Sequence, residues 1–542
     1  MASAYAYTVY CGTFIQLPRL SECPTPAKPE LLRNRGALWV SAVDGRIKGY
    51  DWQARDDNGF AALMSKNGWI DVDGQHATGH NSNDLPVKVK IVHASEERNE
   101  FFFPGFIDTH IHAPQYPNVG LFGSSTLLDW LETYTFPVEA GFGSQSDQKK
   151  SAAKSPRDTP PSAVRIYDQV IARTLSHGTT CASYFATIHV PATNALAALC
   201  HSRGQRALIG RVCMDSPDFC PEYYRDVSAD DSLSATRSTI DYIHTIDPNG
   251  TLVKPIITPR FAPTCSRPAL DGLGQLAAAY TPPLHIQTHI SENTNEVALV
   301  KELFPEAASY AAVYDAHNLL TPRTILAHAV HLSEEERALV RQRQAKISHC
   351  PASNSALGSG ICPVRTLLDD GLTVGLGTDV SGGYSPSILE AVRQACLASR
   401  LLGHTLAFSQ HQHSRRENAH PEKPVLGREK LSVAESLYLA TRGGAAVVDM
   451  ADDIGGFDIG MIWDAQLIEL GAVGAVDESP LDTGHAIGDA GGRSLVKAGP
   501  VGNVDLFGSE TWEEKIQKWV WSGDDRNVKA VWVGGQLVHS RS

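Results

Sequence analysis

Eight short apolar runs recur through the middle of the 542-residue chain, and segments with helical spacing separate most of them. The runs cover residues 101–110, 179–188, 206–214, 254–261, 284–290, 324–330, 345–350 and 373–379. Buried apolar strands that alternate with helices are typical of a parallel sheet. Eight such units predict a (β/α)8 TIM-like barrel, in which the functional site lies at the carboxyl ends of the strands.

The two ends of the chain differ from the middle. Short β-prone segments with polar breaks occur in the first hundred residues, and turn-and-strand patterns return at 455–470 and 529–538. We therefore expect an α/β protein with a small β-sandwich domain built from both termini. The expected division is 1–100 for the N-terminal part of the sandwich, 101–450 for the barrel and 451–542 for the return. Polar stretches at 149–162 and 409–423 are expected to be inserted surface loops.

Charge and composition exclude several classes of partner. Lys and Arg number 47 against 60 Asp and Glu, which gives a net charge of −13. No basic stripe is evident, so neither nucleic acid nor a membrane surface is an expected partner. No apolar run reaches the ~18 residues of a membrane helix, and the N-terminus lacks the pattern of a signal peptide. The ten cysteines are scattered without a CxxC pair, which favours buried thiols in the cytoplasm.

Four histidines and one aspartate stand at the ends of predicted strands. His110 and His112 are two residues apart, so a strand places both on the same side. His289, His328 and Asp379 lie at the ends of the fifth, sixth and eighth runs. Because the strand ends of a barrel converge on one face, the five side chains are expected to meet in space. The alternative, that each polar group caps its own strand, accounts poorly for five together.

These residue types predict a metal site. Imidazoles with a carboxylate and without thiolate suit zinc, and iron(II) or another first-row ion is the alternative. A metal lowers the pKa of a bound water toward ~7 and so supplies hydroxide at neutral pH. Glu292 follows His289 by three residues and is placed to shuttle protons without being a ligand. The alternative, which the sequence SENTNE favours when it is taken alone, is that Glu292 only lies at the beginning of a helix.

Five motifs in this order resemble those of the amidohydrolase superfamily: PGFIDTHIH, HISEN, AHAVHLS, HCPASN and GLGTD. Further stretches are similar to the members of that superfamily that deaminate guanine: HIHAPQYPNVG, WLETYTFPVE, YFATIH, KPIITPRF, LGTDVSGGYS and SGDDRNV. The resemblance runs from about residue 104 to near the C-terminus. It implies a barrel beside a β-sandwich made from both termini, in agreement with the segmentation above.

The resemblance also implies a ligand set. A single zinc ion would be held by His110, His112, His289 and Asp379. His328 would stand beside the metal-bound water. Relatives with two metals usually carry a carboxylated lysine on the fourth strand, whereas here that strand ends in Arg260 and Phe261. One metal per chain is therefore expected.

The implied reaction is hydrolysis of guanine at C2 to xanthine and ammonia, a step of purine catabolism. Asp379 would act as a ligand and as the base for the water. Glu292 would donate a proton to N3 and carry protons to the leaving amine. His328 would stabilise the developing oxyanion. The implied partners are guanine, water and a second copy of the chain in a homodimer.

The same resemblance implies how the base would be recognised. Arg260 would donate to O6, because a guanidinium carries only donors. Gln115 would contact the O6/N1 edge, and Phe261 would pack on the ring. Such contacts would reject adenine, which offers a donor at C6. Taken without the resemblance, Arg260 is better explained by a salt bridge and Phe261 by a place in the core.

Two alternatives stay open at this point. One is another deaminase or hydrolase on the same scaffold, acting on cytosine, a nucleoside, a pterin or a triazine. Gln115 with the Arg260–Phe261 pair favours guanine over these. The other is a non-catalytic relative that serves as a scaffold. Such relatives usually lose ligands, whereas here every expected ligand and Glu292 are present.

Overall fold

A computed structural model describes residues 4–19, 21, 29–73, 86–143, 158–405, 427–473 and 503–541. The predicted loop at 409–423, and residues 149–157 of the other predicted loop, lie outside these ranges. The second predicted loop extends too far at its end, because the helix Pro161–Ser176 already begins within it. Throughout the ranges that are described, every helix is too short or too polar to cross a membrane.

The strands and helices are numbered here along the chain. The strands are β1 (Tyr7–Gln16), β2 (Leu32–Ser41), β3 (Ile47–Asp51), β4 (Trp69–Asp71), β5 (Val87–His93), β6 (Glu100–Pro104), β7 (Phe106–His112), β8 (Thr179–Phe185), β9 (Arg206–Gly210), β10 (Val212–Cys213), β11 (Val253–Pro259), β12 (His285–Ile290), β13 (Thr324–His328), β14 (Lys346–His349), β15 (Val374–Leu376), β16 (Ala465–Glu469), β17 (Val528–Val533) and β18 (Gln536–Ser540). The helices are α1 (Asp57–Lys66), α2 (Leu127–Trp130), α3 (Phe136–Ala140), α4 (Pro161–Ser176), α5 (Val190–Arg203), α6 (Ala229–Ile246), α7 (Arg267–Ala278), α8 (Thr294–Leu303), α9 (Tyr310–Ala316), α10 (Glu334–Gln342), α11 (Pro351–Ala356), α12 (Val364–Asp369), α13 (Ile388–Leu402), α14 (Val433–Tyr438), α15 (Gly444–Val447) and α16 (Trp512–Ser522).

Eight parallel strands form a barrel in chain order: β7, β8, β9, β11, β12, β13, β14 and β15, with the short β10 beside β11. Each strand coincides with one of the eight apolar runs of the sequence. Two backbone hydrogen bonds join the segment after β15 to β7. Asp379 N donates to His110 O at 2.9 Å, and His112 N donates to Val380 O at 3.0 Å. The last strand is thereby held against the first at the carboxyl end, where the functional side chains were expected.

The first apolar run divides into two strands that belong to different sheets. β6 pairs with β16 in the terminal sheet, whereas β7 pairs with β8 in the barrel. Gly105 lies between them, and a Cβ atom there would lie 2.2 Å from Thr180 Oγ1. Glycine therefore allows the chain to pass closely over β8 as it changes sheets. The sequence did not show this boundary, because every residue of both strands is buried and no polar alternation marks either one.

The second sheet is built from both ends of the chain. It contains β1–β6 and β16–β18, and β1 pairs with β2, β5 and β6. Alternate side chains of β1 enter different apolar clusters, as the twofold period of a strand requires. Tyr10 and Phe14 pack with Trp463, whereas Val9 and Cys11 pack in the cluster under α1. The predicted α/β fold class is confirmed by a TIM-like barrel and a separate sheet built from both termini. Where the sequence analysis expected a small β-sandwich, the described part of the chain has one nine-stranded sheet.

Candidate active site

A cavity of about 400 Å³ opens at the carboxyl ends of the barrel strands. Its lining side chains are His112, Gln115, Leu127, Trp130, Leu131, Arg260, Phe261, His289, Glu292, Glu296, His328, Leu357 and Asp379. Of the nine site residues named from the sequence, eight line this cavity. The ninth, His110, lies directly behind it and is buried.

Imidazole nitrogens and a carboxylate converge at the floor of the cavity. His112 Nε2 lies 3.2 Å from His110 Nε2 and 3.1 Å from His289 Nε2. Asp379 Oδ1 lies 3.1 Å from His110 Nε2 and 3.4 Å from His112 Nε2. Candidate ligand atoms of His110, His289, His328 and Asp379 all lie within 4.8 Å of one another. The side chains face one another rather than their own strand backbones, which disfavours the strand-capping interpretation.

The protonation states of this group fit a divalent metal ion. Burial lowers the pKa of His110, and burial together with neighbouring imidazoles lowers the pKa values of His112 and His289 well below the usual range. Neutral imidazoles are the form that binds metal. Burial opposes ionisation of Asp379, but the adjacent histidines outweigh it and lower the pKa of that carboxyl. His289 Nδ1 donates to Arg260 O at 2.6 Å, so Nε2 is left for the cavity.

His328 faces two carboxylates. Its Nδ1 donates to Asn354 Oδ1 at 2.9 Å, which fixes the ring and directs Nε2 toward the cavity. Nε2 is buried without a hydrogen bond among the described residues, 3.3 Å from Glu292 Oε2 and 3.7 Å from Asp379 Oδ2. Burial alone would lower the pKa of His328, but the two carboxylates raise it. The residue has a left-handed backbone, with φ of 73°, a strained conformation that clusters at functional sites.

Glu292 is placed to exchange protons in the cavity. Its Oε1 accepts a hydrogen bond from Ser359 Oγ at 2.9 Å. Burial raises the pKa of Glu292 to about 7, so the carboxyl can hold or release a proton near neutral pH. The alternative, that Glu292 only lies at the beginning of a helix, does not describe it, because Asn293 caps α8 and Glu296 accepts from the amides of Glu292 and Asn293. These two residues complete the cap, and the Glu292 side chain remains directed into the cavity.

The opposite wall carries the expected base-binding residues. Gln115 lies in the short 3₁₀ helix Ala113–Asn118, directly after β7. Arg260 and Phe261 follow β11, and both are buried. Their alternative interpretations also hold in part: Arg260 forms a buried ion pair with Glu139 at 2.7 Å, and Phe261 belongs to an apolar cluster. Because Arg260 and Phe261 also line the cavity, each can have a structural role and still contact a ligand.

Several residues of the site were missed from the sequence. Leu127, Trp130 and Leu131 form an apolar wall on and after α2. Glu139 supports the opposite wall, and the only signal for it was the resemblance over residues 130–139. Asp108 was also missed; it is buried and accepts from Thr378 N at 3.0 Å, from Thr378 Oγ1 at 2.5 Å and from His110 N at 3.2 Å. It thereby ties together the two strand ends that carry His110 and Asp379.

The sequence model of the Amidohydrolase family matches residues 101–538. The chain belongs to the amidohydrolase family. Within it, the chain is 47% identical to a probable guanine deaminase of Schizosaccharomyces pombe, over 81% of this chain and 71% of that relative. It is 39% identical to the guanine deaminase of Homo sapiens, over 81% of this chain and 83% of that one. The structure of guanine deaminase from C. acetobutylicum with bound guanine in the active site is similar, with a TM-score of 0.70, 27% identity, and coverage of 98% of this chain and 100% of that chain.

Proposed function

We propose that this chain is a guanine deaminase, which hydrolyses guanine at C2 to xanthine and ammonia. The bond that breaks is the C–N bond of a cyclic amidine. The observation that carries the proposal is one cavity in which a His/Asp metal group, a buried acid and an arginine–glutamine wall face one another. Identities of 47% and 39% to guanine deaminases over about four fifths of the chain support the same reaction.

The metal is proposed to be one zinc ion per chain, with iron(II) as the alternative. The proposed ligands are His110, His112, His289 and Asp379. When bound, the metal supplies Lewis acidity and a hydroxide nucleophile at neutral pH. Metal analysis of the purified protein tests this proposal directly: about one equivalent of zinc per chain is expected, and a metal-free, fully active enzyme would overturn it.

The chain's own residues are proposed to move the protons. Asp379, kept ionised by the histidines around it, accepts the proton of the attacking water. Glu292 donates its proton to ring N3. As a carboxylate it then accepts the proton of the new hydroxyl at C2 and delivers it to the departing amine, and the proton held by Asp379 finally restores the acid form of Glu292; a pKa of about 7 supports both directions of transfer. His328 Nε2, between the two carboxylates, stabilises the oxyanion that develops at C2. Water adds at C2 and ammonia leaves, so atoms and charge balance.

Recognition of the base is proposed to fall to the opposite wall. The described contacts of Arg260 use two of its five N–H groups on Glu139, so the others can donate to guanine O6. Gln115 would contact the O6/N1 edge, and Phe261 would pack on the ring face. Adenine presents a donor where this wall also presents donors, and such a buried mismatch costs about 10⁴-fold in the best cases.

A substrate panel tests the proposed function. The purified protein is given guanine while xanthine and ammonia are followed, with adenine, cytosine, a pterin and a triazine in parallel. Xanthine from guanine alone is the expected result. Metal-loaded protein that turns over none of these bases, or that prefers another one, would overturn the proposed guanine pocket.

The Arg260→Ala variant tests how the roles are divided. Guanine turnover should fall while metal content stays unchanged, because the side chain is assigned to the base and not to the metal. Loss of metal instead would show that this division is wrong.

We also propose that the protein is a cytoplasmic homodimer. Of the expected division 1–100, 101–450 and 451–542, the first boundary is moved to residue 104, because β6 pairs with β16 in the terminal sheet. The nine cysteines that the structure describes are unpaired and buried, which supports a reducing compartment. Light scattering tests the assembly state, and twice the mass of one chain is the expected value.

A further inference from the structure

Glu139 is a buried carboxylate at the end of α3, and none of the roles proposed above uses it. Its Oε1 accepts from Gln115 Nε2 at 2.8 Å and from Arg260 Nη2 at 3.2 Å. Its Oε2 accepts from Arg260 Nη1 at 2.7 Å and from Tyr224 Oη at 2.7 Å. Each oxygen therefore has two protein donors, and the exposed fraction of the residue is 0%. Glu139 consequently acts through its neighbours rather than by touching a ligand.

These contacts fix the orientation of two cavity-lining groups. A carboxylate only accepts hydrogen bonds, so the amino end of the Gln115 amide must face Glu139. The carbonyl end of that amide accepts from Ser381 N at 3.3 Å, which agrees with the same orientation. Arg260 binds Glu139 through both terminal nitrogens, and this fork–fork geometry fixes the plane of the guanidinium. The N–H groups of Gln115 and Arg260 that Glu139 does not use are thereby presented in a fixed arrangement.

Glu139 also cancels a buried charge. Arg260 is 2% exposed, and an isolated guanidinium at such depth would be costly. Burial opposes the charge of Arg260, but the adjacent Glu139 carboxylate outweighs it and raises the pKa of the guanidinium. The two charges together sum to zero, although the cavity still receives N–H donors from the arginine. A wall of donors without net charge suits a neutral carbonyl better than an anion.

We propose that Glu139 is a positioning residue for recognition of a neutral purine carbonyl. It holds the donors of Arg260 and Gln115 toward the base and prevents Arg260 from acting as an anion site. The proposal rests on the proposed guanine deamination. The product carries a second ring carbonyl, at C2, between N1–H and N3–H, and it ionises more readily than guanine does. An uncompensated guanidinium would therefore bind the anion of xanthine more firmly, whereas the neutral pair favours substrate over product.

The test is the Glu139→Gln variant, with Glu132→Gln as the matched control. Glu132 lies in the same helical stretch and is exposed, so its charge is lost without touching the cavity. KM and kcat for guanine and the inhibition constant of xanthine are measured at a pH where xanthine is largely anionic. Glu139→Gln is expected to raise KM at least tenfold with a smaller change in kcat. It is expected to increase the ratio of KM to the xanthine inhibition constant at least tenfold.

Two outcomes would overturn the proposal. In the first, KM for guanine stays within twofold of the wild type. In the second, KM and the xanthine inhibition constant rise by the same factor, as would be expected if the variant only made Arg260 and Gln115 less well ordered. Failure of the proposed function is distinguishable, because the wild-type enzyme would then not convert guanine at all.

A milder variant covers the case in which Glu139→Gln does not fold. Tyr224→Phe removes one hydrogen bond to Glu139 and leaves the ion pair with Arg260 in place. It is expected to raise KM for guanine two- to fivefold with an unchanged ratio of KM to the xanthine inhibition constant. An unchanged KM, or a changed ratio, would contradict the assigned role.

Discussion

Replacing Glu292 by glutamine removes a proton carrier while preserving its surroundings. The amide has the size of the carboxyl, and its amino end can donate to Ser359 Oγ, which lies 2.9 Å from Glu292 Oε1, because a hydroxyl both donates and accepts. The carbonyl oxygen of the amide then faces His328 Nε2, as Glu292 Oε2 does at 3.3 Å. That nitrogen is the donor assigned above to the oxyanion, so it keeps an acceptor in the variant. We therefore expect the variant to fold and to bind metal as the wild type does.

The expected loss is large in turnover and small in stability. A positioned general acid or base contributes about 10²- to 10⁴-fold, so kcat should fall by this factor. In activation free energy this is about 3 to 5.5 kcal/mol. The free energy of unfolding should change by less than about 1 kcal/mol, because no buried hydrogen-bonding group loses its partner.

A pH titration of the metal-free protein adds a second readout on the same residue. The pKa of Glu292 is raised from 4.5 to about 7, so between these values the folded state binds more protons than the unfolded state. This group therefore makes stability decrease as pH rises from about 4.5 to 7. The Glu292→Gln variant should lack that contribution and lose less stability over this window. Urea unfolding at several pH values measures the difference.

The assay follows xanthine and ammonia from guanine, with metal content measured on the same samples. Glu302→Gln is the matched control, since Glu302 is an exposed residue of α8 far along the same helix. It should match the wild type in every measurement. A Glu292→Gln variant with full metal and kcat within tenfold of the wild type would refute the reasoning and remove Glu292 from the mechanism.

Four further substitutions test the site and the frame around it. Asp108→Ala leaves three buried donors without an acceptor and should cost about 3 to 5 kcal/mol in urea unfolding; a change below 1 kcal/mol would contradict its role. Gly105→Ala should cost about 1 to 3 kcal/mol through overpacking against Thr180. Thr180→Ala should restore part of that loss in thermal unfolding, and an equal loss in both backgrounds would disprove the contact. Asp379→Asn should abolish stoichiometric metal with unchanged circular dichroism, and retained metal would argue against the assigned ligand.

The barrel could be predicted from the sequence because its signal is local. Each strand is a short apolar run, and a polar group such as His289 or Asp379 at its end marks the functional face. This signal fails where two strands share one apolar run. The sequence predicted a single strand over β6 and β7, although the two belong to different sheets. The close approach of Gly105 to Thr180, which explains where the chain changes sheets, is visible only in the structure. The five converging side chains followed from the fold alone, since barrel topology places all strand ends on one face.

The residues that hold Arg260 in place could not be predicted in this way. Glu139 and Arg260 are 121 residues apart, and Tyr224 lies on a third segment. No periodicity connects an acid in one helix with an arginine after a distant strand. A buried carboxylate and an exposed one, such as Glu132, look the same in sequence. Their difference depends on packing, which exists only once the barrel has closed.

Four buried carboxyl groups near this cavity show that the neighbouring groups of a carboxyl determine its role. Asp379 faces imidazoles, which lower its pKa and keep it ionised, as a ligand and base must be. For Glu292 the main influence is burial, which raises the pKa of the carboxyl to about 7, as a proton shuttle requires. Asp108 accepts three hydrogen bonds and ties two strands together, and Glu139 neutralises Arg260. Because environment separates their functions, changing the partner should alter the role even where the carboxyl group itself is kept.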